Sequence, residues 1–480
     1  LNSLKQKSFH GVTWSLIDGI AGSGISFIIG IILARLLTPS AFGLIGMVTV
    51  FFTIANTFID SGFSTGLIRK VHCTKIEYDT VFYFNIAVSI FLYITLFITA
   101  PYLAIFFKEP QLTSLVRILS IAIVIDSFSI VQRTILTREI NFRLQTKISL
   151  ISSVASGIVG IGMAYKGFQV WSLVFQILTK QLLNGALLWL FSKWRPTANF
   201  SITVFKDMFA FGSKLLGSGL IVTLQNNIYY FVIGKFFSAA GLGFYTRAEQ
   251  FNAIVTNNIT GTLERVFFPV LSSIQEDESR MKDTLRKMIR TSFFITYFAL
   301  MSMAIVAKPM IFLLIGEKWA ESILYLQLIC IGSVFFPFNN VNSNILKVKG
   351  RSDLILRLQI IKTFLTVIII IAGIFWGIAI MLTVRIFTVL IATFINSIYS
   401  GKLLGYSIKE QVWDISSYFW SESAILAVML GLSFLPVPIF LQLVIQLSVG
   451  FILLILLFEK LKHAEYLEIK AMIINTIFRR

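Results

Sequence analysis

Apolar residues in this chain come in blocks of 20 or more, separated by short polar stretches rich in Gly, Pro, Lys and Arg. A helix advances about 1.5 Å per residue, so about 20 apolar residues cross a bilayer. The pattern predicts fourteen spans, near 11–36, 42–66, 79–106, 112–136, 147–165, 169–192, 206–234, 242–272, 287–315, 322–346, 355–375, 378–400, 416–434 and 437–459. Blocks longer than about 25 residues imply tilt or helix beyond the bilayer. The short alternating segments of an outer-membrane barrel are absent. The fold class expected is an all-α polytopic membrane protein.

One motif recurs. Ala34-Arg-Leu-Leu-Thr-Pro-Ser-Ala-Phe-Gly43 returns 200 positions later (34 to 234) as Gly234-Lys-Phe-Phe-Ser-Ala-Ala-Gly-Leu-Gly243. Each copy closes one apolar run and opens the next. Arg35 falls on Lys235, Thr38 on Ser238 and Gly43 on Gly243. Gly167–Trp171 before span 6 likewise answers Gly377–Met381 before span 12, an offset of 210 (167 to 377), and Pro101 answers Pro309. Spans 1–6 and 7–12 therefore read as two parallel six-helix lobes, an arrangement typical of transporters with a substrate path between the halves. The expected division is an N-lobe 1–195, a C-lobe 196–405, a span 13–14 hairpin 406–460 and a basic tail 461–480. The lobes are joined by Lys193–Asn199. In the tail, Leu467, Ala471, Ile474 and Phe478 are spaced as in an interfacial helix.

Composition agrees with a membrane protein: 56% hydrophobic and 13% charged, against about 25% charged in soluble chains. The net charge of +18 does not point to nucleic acid, because Lys and Arg alternate from loop to loop. One set of loops holds Arg69, Lys70, Arg133, Arg138, Arg143, Lys193, Arg195 and the basic residues of 280–290. The opposite set offers Arg35, Lys108, Lys166, Lys235 and Lys318. The richer set is expected in the cytoplasm, with both termini. Cys73 and Cys330 make neither a disulfide framework nor a metal spacing. His10, His72 and His463 lie in basic flanks, away from any buried site. The chain opens on Leu1, so its start is expected to be altered or incomplete. Leu1–His10 shows no separate signal peptide.

These pieces resemble a known family. Ala34–Gly43, Asp60–Phe63, Gln132–Phe142, Gly167–Val174, Phe211–Leu215, Asn227–Arg247 and Phe268–Asp277 together are similar to the polysaccharide transporters of the MOP flippase superfamily, of the Wzx type. The resemblance covers nearly the whole chain. It implies a fourteen-helix, two-lobe fold in a bacterial inner membrane. It also implies movement of a polyprenyl-diphosphate-linked oligosaccharide from the inner to the outer leaflet, with no enzyme activity and no cofactor. Membrane lipids and other polysaccharide-assembly proteins are the remaining expected partners.

Charges inside spans are expensive and mark sites. Arg117, Lys180, Lys214, Arg247, Lys362 and Arg385 are the candidates to line a central cavity and bind a diphosphate or anionic glycan. Arg in particular can grip phosphate oxygens in pairs. Projected through the repeat, Lys214 falls on Trp14, Arg247 on Met47, Arg117 on Gln327 and Arg385 on Phe175. The scaffold repeats and these charges do not, as one asymmetric ligand would require. Asp18, beside Gly19, Gly22 and Gly24, is a candidate for coupling or gating, as are Asp126 and Glu249. Asp18 or Asp126 would be the place for a coupling H⁺ or Na⁺. Asn56, Gln132, Gln225–Asn227 and Asn339–Asn344 offer hydrogen bonds to sugar.

Two other transport or enzyme classes compete. A MATE-like drug or cation antiporter would want an acidic or apolar cavity, and the candidate cations here outnumber the acids. A glycan polymerase or ligase would want a large outer loop with catalytic side chains, and every outer loop is short. A purely structural partner would not need scattered intramembrane charges.

Overall fold

The computed structural model describes residues 21–470 except 61, 71, 275, 464, 468 and 469. Asp18, and most of the tail read as an interfacial helix, lie outside the described residues. Every regular element among those described is helical. The first helices are α1 (Ala21–Leu36), α2 (Pro39–Asp60), α3 (Phe63–Arg69) and α4 (Lys75–Phe107). Next come α5 (Leu112–Leu119), α6 (Ile121–Ser127), α7 (Ile130–Arg138), α8 (Phe142–Tyr165), α9 (Val170–Phe191) and α10 (Ile202–Phe236). Then follow α11 (Ala239–Ser273), α12 (Glu278–Ile305), α13 (Ala307–Leu314), α14 (Glu321–Ser333) and α15 (Phe336–Val348). The last four are α16 (Ser352–Trp376), α17 (Ile378–Leu404), α18 (Ile408–Gly431) and α19 (Ile439–Leu461).

Among the described residues ten helical stretches are long and apolar enough to cross a membrane, one of them α14 and α15 taken together, or twelve if each of two bent pairs is one span. One bend, of 40°, separates α5 and α6 from α7. The other, of 47°, divides α10 at Gly212. The fourteen spans expected would also need α1, whose described part is short, and α11, which is long but carries Arg247, Glu249, Asn252, Asn257 and Asn258. A strongly apolar helix such as α19 turns Phe440, Phe451, Ile452 and Leu456 outward. Contiguous apolar surface of that kind suits lipid and not water.

The repeated motif has a physical explanation in both copies. Ala41 N donates to Thr38 Oγ1 at 3.4 Å, and Gly241 N donates to Ser238 Oγ at 3.0 Å. Each hydroxyl satisfies an orphan amide where α2 or α11 begins. The glycines allow these two helix starts to touch. A Cβ on Gly43 would stand 1.6 Å from Ala239 O, and a Cβ on Gly243 would stand 1.9 Å from Pro39 O. The contact is reciprocal, so the two copies of one sequence motif meet each other. Lys235 Nζ donates to Phe106 O at 2.5 Å and lies 3.9 Å from the Phe106 ring centroid.

The chain divides into two compact units between Thr246 and Arg247. The lobe boundary expected at 195/196 follows the repeat. The packing boundary lies later because α10 runs along α2. In the first unit α8 packs on α9, and α4 on α5 and α6. Phe63, Leu67, Val81, Phe82, Val131 and Met208 form one of its cores. The segment leading to α10 is pinned to the start of α4. Buried Asp79 accepts from Thr197 N at 3.2 Å and from Thr197 Oγ1, and Ser201 N donates to Thr80 Oγ1 at 3.2 Å. Trp194 packs 5.5 Å from the Phe82 ring.

In the second unit α16 and α14 pack on α17, and α18 lies between α12 and α19. Ser407 and Glu410 form a capping box that starts α18. Asp414 on α18 is a charged hub. It accepts from Arg286 Nε at 2.8 Å, from Arg290 Nη2 at 2.5 Å and from Tyr406 OH at 2.6 Å. Beyond α19, Glu465 accepts from Tyr418 OH and lies 3.8 Å from Arg290 Nη1.

His463 sits 4.6 Å from the Tyr418 ring and 5.2 Å from the Phe458 ring. Burial lowers its pKa below the ordinary 6.5, Arg290 lowers it further, and Glu465 opposes both. A histidine whose packed form resists protonation binds fewer protons than its released form, so acid favours release. Protection factors at residues 465–467, that is exchange rates referred to the intrinsic base-catalysed rate at each pH, are therefore expected to fall by about a factor of a few as pH drops through about 6.5. His463→Phe should flatten that dependence. A pH-independent protection factor in the unaltered protein would contradict it.

Candidate functional site

The site begins with a spacing on α2. Thr53, Asn56, Thr57 and Asp60 recur at intervals of three and four, which puts them on one helix face. Opposite stand Asp126, Arg133, Thr134 and Thr137, carried by α6 and α7. The bend between those two helices falls at Phe128–Ser129. The Ser127 hydroxyl there bonds back to Val124 O at 2.7 Å, and so competes with the regular helix ladder. The third wall is α10, with Leu215, Ser218, Gly219, Val222 and Thr223. Gly62, at φ +72°, turns the chain from α2 to α3 where a Cβ would come within 2.9 Å of Leu215. These elements enclose an open cavity of about 880 Å³ within the first unit, at the upper end of the roughly 300–1,000 Å³ typical of ligand sites.

The lining is hydroxyl-rich and ordered. Thr53, Thr57, Thr134 and Thr137 each donate to a carbonyl of their own helix at 2.8–3.0 Å. The proton of each is thus committed, and lone pairs are what these hydroxyls can offer a ligand. Thr57 and Thr223 meet at 3.0 Å and tie α2 to α10. Arg133 Nη2 donates to Asp126 Oδ1 at 2.8 Å. Asp60 Oδ1 is buried and has no hydrogen-bond partner among the described residues. The charged groups of the lining are therefore two carboxyls and one guanidinium.

The structure does not gather the six expected cations into this cavity. Arg117, on α5, lies over the Phe97 ring at 4.5 Å, with Nε 3.3 Å from Phe97 O. Lys180 is half-buried on α9. Lys214 stands exposed on α10, one position before the wall residue Leu215. In the second unit Arg247 is 8% exposed, donates to Gln250 Oε1 and lies 5.9 Å from the ring of fully buried Trp319. Arg385 of α17 stands 3.7 Å from Glu249 of α11. Lys362 of α16 reaches Asn339 Oδ1 at 3.4 Å, and Asn339 also accepts from Asn396 on α17. Among the coupling candidates, Asp126 is in the cavity and Glu249 is beside Arg385. Among the described residues no group of three or more His, Cys, Asp or Glu is placed to hold a metal.

Sequence reasoning picked out Asn56, Asp126 and, at the end of a span, Asp60, and counted Arg133 as a loop cation. It passed over the threonines. The available signal was the run Thr49, Thr53, Thr57 at four-residue spacing in an apolar helix.

Comparison with known proteins adds the following. The sequence model of the family described as "Polysaccharide biosynthesis protein" matches residues 32–324. "Lipopolysaccharide biosynthesis protein WzxC" of Escherichia coli (strain K12) is 25% identical over 377 residues, 77% of this chain and 76% of its own length. Among solved structures, "Lipid II flippase MurJ, inward closed conformation" is similar with a TM-score of 0.76 at 14% identity, covering 94% of this chain and 100% of that one. An inward-facing "multidrug resistance MATE family transporter of the MOP superfamily" is similar with a TM-score of 0.62 at 16% identity, covering 82% and 94%. At such identities the two structures speak for the fold alone.

Proposed function

Because the chain belongs to the polysaccharide biosynthesis protein family, we propose that it carries a polyprenyl-diphosphate-linked oligosaccharide from the cytoplasmic to the outer leaflet of the inner membrane by alternating access. In coarser terms it is a multi-pass membrane transporter of the MOP superfamily, a flippase for lipid-linked saccharide precursors and not an enzyme. Both termini belong in the cytoplasm on the distribution of Lys and Arg.

The observation that carries the proposal is the retention of basic side chains inside apolar helices. Arg247 is almost wholly buried, and a guanidinium cannot shed its charge to escape the penalty. Arg385 and Glu249, at 3.7 Å, are farther apart than the roughly 2.7–2.9 Å of a tight charged hydrogen bond. A phosphate oxygen can compete with the Glu249 carboxylate for this guanidinium. Arg117, Lys180, Lys214, Arg247, Lys362 and Arg385 are the proposed diphosphate contacts. Glu249, Asp126 and Asp18 are the proposed gating or coupling acids, with H⁺ or Na⁺ as the coupling ion.

The test is outward exposure of a fluorescent lipid-linked saccharide in reconstituted vesicles. Arg117→Ala, Lys214→Ala and Arg247→Ala are each expected to slow export about tenfold or more while membrane insertion persists. Normal export by all three variants would remove the cationic role.

One observation favours the antiporter instead: the carboxyl excess of the first-unit cavity, which suits a cationic solute. Uptake of a cationic dye driven by a pH or Na⁺ gradient, with no effect on lipid-linked saccharide, would establish that alternative.

A further inference from the structure

The cavity of the first unit is poorly suited to a diphosphate. Its charged groups are Asp60, Asp126 and Arg133, and the guanidinium is already engaged by Asp126 at 2.8 Å. A doubly charged phosphate group entering here would meet two carboxyls, and like charges brought together in a low-dielectric site repel strongly. The remaining polar groups are neutral, and most are hydroxyls that offer lone pairs. Thr53, Thr134 and Thr137 have committed their protons to helix carbonyls, and Asn56 adds an amide. Such a surface is uncharged outside those three groups and richer in acceptors than in donors. Asp60 adds a carboxylate to this lining, and its Oδ1 has no hydrogen-bond partner among the described residues, so the side chain keeps acceptor capacity for a donor.

A sugar ring supplies that complement. Each hydroxyl brings a proton that can be donated to an acceptor wall, and no charge that the carboxyls would repel. We propose that this cavity is the glycan subsite, and that it selects a saccharide unit carrying neither carboxylate nor phosphate, with Asp60 accepting from a sugar hydroxyl or amino group. The subsite rests on the flippase reading and adds a division of labour to it: basic residues elsewhere hold the diphosphate, and this cavity reads the sugar. The geometry also sets a limit on what is read. Apart from Arg133, whose charge is matched by Asp126, the lining offers no cation, so a uronic acid is disfavoured.

The experiment uses the full chain in lipid nanodiscs and three probes: polyprenyl diphosphate alone, the same lipid bearing one neutral hexose, and the same lipid bearing one uronic acid. The unaltered protein is expected to bind the hexose form about tenfold more tightly than the uronic acid form. Asp60→Asn and Thr223→Val should each lower affinity for the hexose form several-fold and leave the bare diphosphate lipid unchanged. The comparison between hexose and uronic acid needs no variant, so it stands even if a substitution impairs folding. Equal binding of the two sugars, or equal losses on the bare and hexose-bearing lipids, would overturn the subsite while leaving the flippase intact. Failure to bind any of the three probes would overturn the flippase reading, and the subsite with it.

Discussion

Gly43→Ala and Gly243→Ala are each expected to abolish most of the folded protein recovered from membranes. The reason is steric. The new methyl groups would lie 1.6 Å from Ala239 O and 1.9 Å from Pro39 O, both backbone atoms that cannot rotate away. Relief requires separating the starts of α2 and α11, where Thr38 and Ser238 also cap the helices. Overpacking of this kind costs about 3 kcal/mol or more, a large part of a membrane bundle's stability. The control is Gly162→Ala on α8, where nothing lies within 4 Å. There the change should be neutral or stabilising by up to about 1 kcal/mol, because alanine favours helix. Thermal unfolding in detergent, followed by size-exclusion fluorescence, separates these outcomes. If Gly43→Ala melts with the unaltered protein, the close contact is not what the repeated motif is for.

The second large effect belongs to Asp414. Two guanidiniums of α12 and the Tyr406 hydroxyl converge on this one carboxylate, which is 9% exposed. Asp414→Ala leaves Arg286 and Arg290 facing one another without their shared anion. Loss of one partner from a buried pair costs about 3–5 kcal/mol, and the 33% exposure of each arginine reduces this to about 2–3 kcal/mol through solvent screening. The expected result is early release of α18 and α19 from α12, read as faster hydrogen exchange over 408–461. Adding Arg286→Leu and Arg290→Leu should restore part of the protection. Unchanged exchange in the single variant would show that apolar contacts such as Phe294 against Phe458 suffice.

Much of this architecture can be read from the chain. Helix edges follow the apolar blocks closely: the span read at 79–106 is a helix over Lys75–Phe107, and 378–400 becomes Ile378–Leu404. The span read at 416–434 starts earlier, at Ile408, because the Ser407–Glu410 capping box extends the helix beyond its apolar stretch. The bends at Phe128–Ser129 and Gly212 were not legible. A serine or glycine inside an apolar run is compatible with straight helix and with a break, and only packing decides. The repeat announced that two turns were alike, but not that they touch. For the site, charge was a useful signal for where a span departs from lipid chemistry, and it marked Asp126. It could not mark the threonines, whose hydroxyls bond back to their own helices and so sit comfortably in any span. That Asp60 and Thr223, far apart in sequence, line one cavity with Asp126 is a fact of tertiary structure.

The fastening of Thr197 and Ser201 to Asp79 and Thr80 has a mechanical meaning. The crossover into α10 is a bolted joint and not a slack tether. Any tug on the near end of α10 is delivered within a few ångströms to the head of α4. Lengthening this crossover by a few flexible residues would let the chain stretch without disturbing a single cavity residue, and stroke would be lost as play in the linkage.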